Sequence, residues 1–208
     1  MGINCPKKSK IILIGGVPGV GKTSLSGSIA ASNGINIVLS GDYLREFLRA
    51  YQDKNDDVLG YSVYDSWKHF GDMTVDNIIS GFREQAKFIW KGIRAVIDRA
   101  IKNGESMIIE TLYFEPVYFT DIPKDLILPV YIYISDSKIH EKRLGEREEF
   151  THPGSSGKRL IEHLHEYRTI MDCSLEASKV NNIETIDNIS YNDTRERLMK
   201  MVADFVGS

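Results

Sequence analysis

Short apolar runs alternate along this chain with longer segments in which apolar residues recur every three or four positions. The short runs are typical of strands buried on both faces, and the longer segments are typical of amphipathic helices. Because parallel strands need crossover connections, the alternation predicts an α/β fold with three layers, α/β/α, around a five-stranded parallel sheet. The predicted strands are Ile11–Gly15, Asn36–Leu39, Ser106–Glu110, Pro129–Ile134 and Ile183–Asp187.

The longest helical pattern extends from about Thr74 to Lys102, where Asn103-Gly104 supplies a stop signal. Further helices are predicted at 21–32, 42–51, 137–149, 156–179 and 193–205. No internal repeat and no linker rich in proline, glycine or serine marks a domain boundary. We therefore expect residues 1–208 to form a single domain.

Two segments depart from this regular alternation. Residues 52–71 are polar, aromatic and irregular, and residues 142–158 are highly charged and include Pro153-Gly154-Ser155. Ligands of open α/β sheets bind outside the carboxyl ends of the strands, where both segments would project. We predict a substrate-side insert at 52–71 and a lid at 142–158; the first segment is also compatible with a simple packed loop.

A glycine-rich octapeptide, Gly-Val-Pro-Gly-Val-Gly-Lys-Thr at residues 16–23, directly follows the first predicted strand and opens a helix. Glycines at this spacing let backbone N–H groups turn toward phosphate oxygens. Lys22 can reach the β- and γ-phosphates, and the Thr23 hydroxyl is placed to bind the bridging magnesium ion. The motif predicts a P-loop nucleoside triphosphate hydrolase fold that binds Mg-ATP or Mg-GTP. The predicted nucleotide-binding residues are Gly16, Pro18, Gly19, Val20, Gly21, Lys22, Thr23 and Ser24.

Carboxylates follow two of the predicted strands. Asp42 lies one strand away from the phosphate loop, where it can accept the proton of an attacking hydroxyl, and Arg45 follows one turn later to bind an anionic acceptor. Asp42 is equally suited to cap the next helix. Glu110 closes the third strand as an element that can hold magnesium or orient the acceptor. Tyr113 follows in a segment suited to the wall of a substrate pocket.

The lid segment carries several arginines. Arg143 and Arg147 share one helix face, from which they can neutralise charge on a transferring phosphoryl group. Closure of such a lid also excludes water as a competing acceptor. The alternative for each arginine is a solvated pair with one of the neighbouring glutamates.

Composition and charge narrow the class of protein. The 208 residues carry 26 basic and 29 acidic side chains, a net charge of −3, so nucleic acid is not an expected partner. Two cysteines far apart in sequence favour a reducing compartment, and neither a leader nor an apolar run of membrane-spanning length is apparent. We predict a cytoplasmic protein, monomeric or homodimeric, whose partner is a small-molecule phosphate acceptor.

Several segments together resemble the archaeal 2-phosphoglycerate kinase family, whose fold is similar to that of shikimate and adenylate kinases. The resemblance rests on six segments and spans nearly the whole chain. They are Ile12 to Gly16 running into the phosphate loop, Ser40 to Asp42 with Arg45-Glu46, Ser62 to Trp67, Gly81-Phe82 with Gln85, Ile108 to Glu110, and Arg168 to Ile170.

This resemblance implies an ATP- and Mg²⁺-dependent kinase that converts 2-phosphoglycerate to 2,3-bisphosphoglycerate. That substrate would suit a pocket containing Arg45, Arg83 and Arg168. The full set of predicted acceptor residues is Asp42, Arg45, Tyr64, Trp67, Arg83, Gln85, Glu110, Tyr113 and Arg168, and the predicted catalytic residues are Lys22, Asp42, Arg143 and Arg147. The chain departs from the family in carrying Thr111-Leu112-Tyr113 after the third-strand glutamate, where members often have Gly-Val-His.

Other functions remain compatible with the residues alone. The aromatic insert can stack a base as readily as it can enclose a sugar acid, which would fit a nucleoside or nucleotide kinase. A nucleotide-dependent regulatory protein is a rival of another class, although the chain has no Asn-Lys-x-Asp for reading guanine.

Overall fold

The computed structural model describes residues 9–51, 58–146 and 157–207. They contain five strands: β1 (Ile11–Gly15), β2 (Ile37–Ser40), β3 (Met107–Thr111), β4 (Ile127–Tyr133) and β5 (Glu184–Asp187). All pairings are parallel, in the order β2-β3-β1-β4-β5. The predicted α/β fold with a five-stranded parallel sheet is confirmed.

Seven α-helices lie in the described residues: α1 (Lys22–Asn33), α2 (Gly41–Arg49), α3 (Val75–Asn103), α4 (Ser137–Gly145), α5 (Gly157–Glu162), α6 (Leu164–Val180) and α7 (Tyr191–Gly207). Short 3-10 helices cover Val58–Gly60, Val63–His69 and Pro116–Tyr118. The long helix predicted from residue 74 is confirmed as α3, which Thr74 caps by accepting from the Asn77 N–H.

The helix predicted over 156–179 is wrong as one element, because the chain breaks at His163 between α5 and α6. The His163 backbone leaves the helical region, with φ −108° and ψ 21°. Its ring instead stacks on Tyr64 at 3.9 Å, and its Nδ1 lies 3.0 Å from Glu166 Oε1. Contacts with the distant 58–71 segment therefore override the local helical pattern.

The sheet brings three chain segments to one edge. Because the strands are parallel, their carboxyl ends meet there, and the register pairs Gly15 with Thr111 and Ser40 with Glu110. β1 is the central strand, and each of its residues is buried. The loop after β1, the start of α2 and the end of β3 are thus neighbours.

Among the described residues, no helix has the length and apolar composition needed to cross a membrane.

Candidate active site

A cavity of about 530 Å³ opens at the carboxyl edge of the sheet. One wall is the loop after β1 together with the start of α1. It contributes Pro18, Gly19, Gly21, Lys22, Thr23 and Ser24 to the lining. Six of the eight residues predicted to bind nucleotide therefore face one space, and Gly16 and Val20 complete the loop's backbone behind it.

Polar side chains of the loop meet the end of β3 in this cavity. The Thr23 hydroxyl lies 3.1 Å and 3.0 Å from the two carboxylate oxygens of Glu110, whose side chain is almost fully buried. Lys22 Nζ donates to the Val17 carbonyl at 3.1 Å. A hydroxyl beside a carboxylate is a donor set suited to Mg²⁺, which keeps several waters and needs few protein ligands. No cluster of three or more His, Cys, Asp or Glu side chains suited to a metal occurs in the described ranges.

Asp42 also lines the cavity, and it is an exposed residue. Helix α2 begins at Gly41, and Ser40 holds the N-cap position. Asp42 is therefore inside the first turn, and the alternative prediction that it caps the helix is wrong. A carboxylate at this position faces the positive end of the helix dipole and is available for chemistry in the cavity.

Helix α4 and the start of α7 close a third side. Arg143, Glu146 and Tyr191 line the cavity there. Arg143 Nη2 donates to the Ile189 carbonyl at 2.9 Å. Burial lowers the pKa of the Arg143 guanidinium, and the nearby Glu146 carboxylate opposes that shift. The guanidinium is thus a partly desolvated positive charge on the cavity wall. Arg147 and most of the predicted lid lie outside the described residues.

Gln85 and Tyr113 belong to a buried polar network behind the cavity. The Tyr113 hydroxyl donates to Gln85 Oε1 at 2.8 Å, and Gln85 Nε2 donates to the carbonyls of Val58 and Tyr61 at 2.7 and 3.0 Å. Both side chains are essentially inaccessible, and neither is among the residues that line the cavity. Burial raises the pKa of the Tyr113 hydroxyl far above its ordinary value. Their polar atoms hold the 58–61 segment instead of facing a ligand space.

Arg45 takes part in the same anchoring. Its Nη2 donates to the carbonyls of Leu59 and Tyr61, and its Nη1 pairs with Glu46 at 2.6 Å. The side chain is only 12% exposed. The structure therefore gives Arg45 a bridging position between α2 and the insert.

The two predicted aromatic contacts also pack within the protein. Tyr64 is buried, stacks on His163 and meets Tyr167 edge to face at 5.8 Å. Trp67 is partly buried and packs against the hydrophobic core.

The remaining predicted arginines, Arg83 and Arg168, each have partners within the protein. Arg83 is 57% exposed, with its Nε 3.7 Å from Glu115 Oε1. Burial raises the pKa of the Glu115 carboxyl, and the Arg83 charge opposes the shift. Arg168 donates to the carbonyls of Ile134 and Ser135 at 3.2 and 3.1 Å, at the end of β4. Neither is among the residues that line the cavity.

Seven residues at the site are absent from the predicted site residues: Ser40, Thr111, Leu112, Glu146 and Tyr191 in the cavity wall, and His140 and Asn188 in contact with the loop backbone. Asn188 directly follows β5, so the strand-end rule applied to β2 and β3 would have found it. His140 has no such signal, because a lone histidine in a charged helix gives no indication of a distant backbone partner.

A phosphate-binding loop that lines one cavity together with two carboxylates, Asp42 and Glu110, is the arrangement of a P-loop phosphotransferase site. The chain belongs to the Zeta toxin family, which matches residues 3–199. It is a P-loop kinase of small molecules, as its named relatives also indicate.

Two relatives illustrate the range of similarity. A mevalonate-3-phosphate 5-kinase of Thermoplasma acidophilum is 48% identical over 198 residues, which cover 95% of this chain and 98% of that protein. A 2-phosphoglycerate kinase of Pyrococcus horikoshii is 30% identical over 193 residues, 91% of this chain but 63% of that protein. The chain thus spans less than two thirds of the longer relative. The predicted resemblance to archaeal 2-phosphoglycerate kinases is confirmed at this level of sequence identity.

Among solved structures, a shikimate kinase from Acinetobacter baumannii superposes with a TM-score of 0.54 and 13% identity, covering 95% of both chains. Identity this low shows a common fold and nothing about the acceptor.

Proposed function

We propose that this chain transfers the γ-phosphoryl group of Mg-ATP to a primary hydroxyl of a small phosphorylated hydroxy acid, with mevalonate 3-phosphate as the first candidate acceptor. The acceptor is supported by the 48% identity to the mevalonate-3-phosphate 5-kinase, which extends over 98% of that protein. The reaction class is supported by the cavity in which Lys22, Asp42 and Glu110 face one another.

The loop and the strand ends divide the work of phosphoryl transfer. The loop amides and Lys22 bind the β- and γ-phosphates, and Thr23 with Glu110 would hold the magnesium ion. Bound Mg²⁺ neutralises charge that develops on the phosphate oxygens. Arg143 adds a partly desolvated positive charge from helix α4, where electrostatic stabilisation is stronger than in water.

Asp42 is the proposed general base. As the acceptor oxygen forms its bond to the γ-phosphorus, the bond from that phosphorus to the β,γ-bridging oxygen breaks, and ADP leaves. The hydroxyl proton passes to the Asp42 carboxylate, which lines the same cavity as Lys22.

A panel assay tests the acceptor. ADP formation is followed with ATP and Mg²⁺ against mevalonate 3-phosphate, mevalonate, 2-phosphoglycerate and shikimate, and phosphorus NMR identifies the product. We expect turnover with mevalonate 3-phosphate and a bisphosphate product, abolished by Lys22→Ala. Hydrolysis that no acceptor accelerates would contradict the proposed kinase function for these acceptors.

2-Phosphoglycerate is the second candidate acceptor. It is supported by the aligned segments shared with the 2-phosphoglycerate kinases, at 30% identity to the Pyrococcus horikoshii protein. If the protein phosphorylates 2-phosphoglycerate but not mevalonate 3-phosphate, the proposed mechanism stands and 2-phosphoglycerate replaces mevalonate 3-phosphate as the acceptor.

A further inference from the structure

Two buried side chains from outside the phosphate loop contact its backbone. His140, on α4, places Nε2 2.8 Å from the Pro18 carbonyl oxygen. Asn188, directly after β5, donates from Nδ2 to the Val20 carbonyl at 2.8 Å. Both residues have no exposed surface. Two elements that are distant in sequence therefore hold alternate carbonyls of one short loop.

The direction of a carbonyl fixes the direction of the next amide. In a trans peptide, the C=O of one residue and the N–H of the following residue point in opposite directions. The described chain contains no cis peptide bond. When Pro18 and Val20 have their carbonyls held on the outer side, the N–H groups of Gly19 and Gly21 must point away from those partners. Both glycines line the cavity.

Side chains of α4 and Asn188 leave no room for a side chain at these two glycines, and His140 Cδ2 would lie 3.1 Å from a Cβ at Gly19. A Cβ at Gly19 would lie 2.8 Å from Leu144 Cδ2, and a Cβ at Gly21 would lie 2.9 Å from Asn188 Nδ2. Their φ angles, +84° and +91°, lie in the region that favours glycine. The motif glycines thus serve the outer contacts of the loop as well as its phosphate-binding face.

Chemistry fixes the donor at His140. The Pro18 carbonyl can only accept, so Nε2 carries the proton. Burial lowers the pKa of the His140 imidazole; the hydrogen bond to the Pro18 carbonyl opposes this shift, and the positive charges of Arg168, Lys22 and Arg143 add to it. A neutral Nε2–H ring is the form that results at neutral pH. Asn188 is itself fixed, because its backbone N–H donates to the Tyr133 carbonyl at 2.8 Å.

We infer that His140 and Asn188 are positioning residues that hold the Gly19 and Gly21 amides toward the cavity before nucleotide binds. This inference rests on the proposed function, in which those amides meet nucleotide phosphates. A loop that is already oriented loses less conformational freedom on binding. The gain in affinity is therefore expected for ligands that place a phosphate group at the loop, and not for the nucleoside alone.

The test compares ADP with adenosine as ligands of the full chain. Dissociation constants are measured by calorimetry or competition for His140→Met, His140→Gln and Asn188→Leu, with Glu141→Gln on the exposed side of α4 as the control. Losing one such hydrogen bond should weaken ADP binding about tenfold, while adenosine affinity stays within about twofold. A glutamine side chain can replace the donor, so His140→Gln should recover most of the ADP affinity.

Equal losses for ADP and adenosine, or ADP affinity unchanged in both His140→Met and Asn188→Leu, would overturn the inference. Lys22→Ala separates it from the proposed function. If Lys22→Ala leaves ADP affinity unchanged, the proposed nucleotide site fails and this inference fails with it. If Lys22→Ala weakens ADP but the two positioning variants do not, only the inference fails. Should His140→Met not fold, the contrast of Asn188→Leu with His140→Gln decides.

Discussion

The phosphate side of the cavity and the network that anchors the 58–61 segment, outside the cavity lining, use their polar groups differently. On the phosphate side, Lys22, Thr23 and Glu110 face the open space. On the side of the insert, Gln85, Tyr113 and Arg45 direct their polar atoms to backbone carbonyls of the 58–61 segment or to one another. The first arrangement leaves charge available for a ligand, and the second holds a wall in place. Residues of the same chemical type thus bind in one region and stabilise in the other.

The largest expected effect tests the phosphate side. Lys22→Ala removes the charge that meets the phosphates, and we expect turnover to fall on the order of a thousandfold or more. Initial rates of ADP formation measure it. Lys102→Ala, an exposed lysine near the opposite edge of the sheet, is the matched control and should keep parental rates. Comparable activity of the two variants would remove Lys22 from the mechanism.

Asp42→Asn tests the proposed general base. Asparagine keeps the shape but cannot take a proton, so kcat should fall between about a hundredfold and ten-thousandfold. ADP affinity should stay near the parental value, because the proposed role of Asp42 is at the acceptor and not at the loop. Asp76→Asn, in the exposed first turn of α3, is the control. A variant that loses ADP binding in proportion to kcat would place Asp42 at the nucleotide instead.

Gln85→Leu tests whether the wall is structural. The variant leaves the Tyr113 hydroxyl and the Val58 and Tyr61 carbonyls without this partner, and unfolding free energy should fall by about 2 to 3 kcal/mol. Tyr113→Phe removes one hydrogen bond and should cost about 1 kcal/mol. Urea titration measures both. Unaltered stability with a raised KM for the acceptor would show that these side chains bind substrate after all.

The phosphate side was predictable because its signal is local. The strand, the glycine loop and Lys22-Thr23 lie within twenty residues, and β1 has the predicted bounds. The wall was not predictable, since it depends on pairings between distant residues. Gln85 and Tyr113 are 28 positions apart, and Gln85 and Val58 are 27 apart. A sequence shows that Gln85 is polar, but only the fold shows whether its partner is a ligand or a carbonyl.

The smallest expected effect concerns His140, which links helix α4 to the phosphate side. Its pKa is lowered in the folded chain, chiefly by burial, from an ordinary value of 6.5. Below pH 6.5 the unfolded chain therefore binds a proton that the folded chain resists, so stability is full above that pH and declines as the pH falls. The slope from one such group is at most about 1.4 kcal/mol per pH unit.

His140→Gln should flatten this decline, because glutamine keeps the donor to Pro18 and does not titrate. Urea unfolding at about pH 7.5, 6.5 and 5.5, which brackets the ordinary histidine pKa, measures the difference between parent and variant, with the exposed His165→Gln as the control. If the parent and His140→Gln lose stability in parallel, the imidazole is protonated without cost in the folded chain. The proton would then have to be accommodated beside Lys22, Arg143 and Arg168, whose positive charges oppose it. A parallel decline would therefore contradict the predicted contribution of His140, and other titrating groups would have to account for the loss of stability in acid.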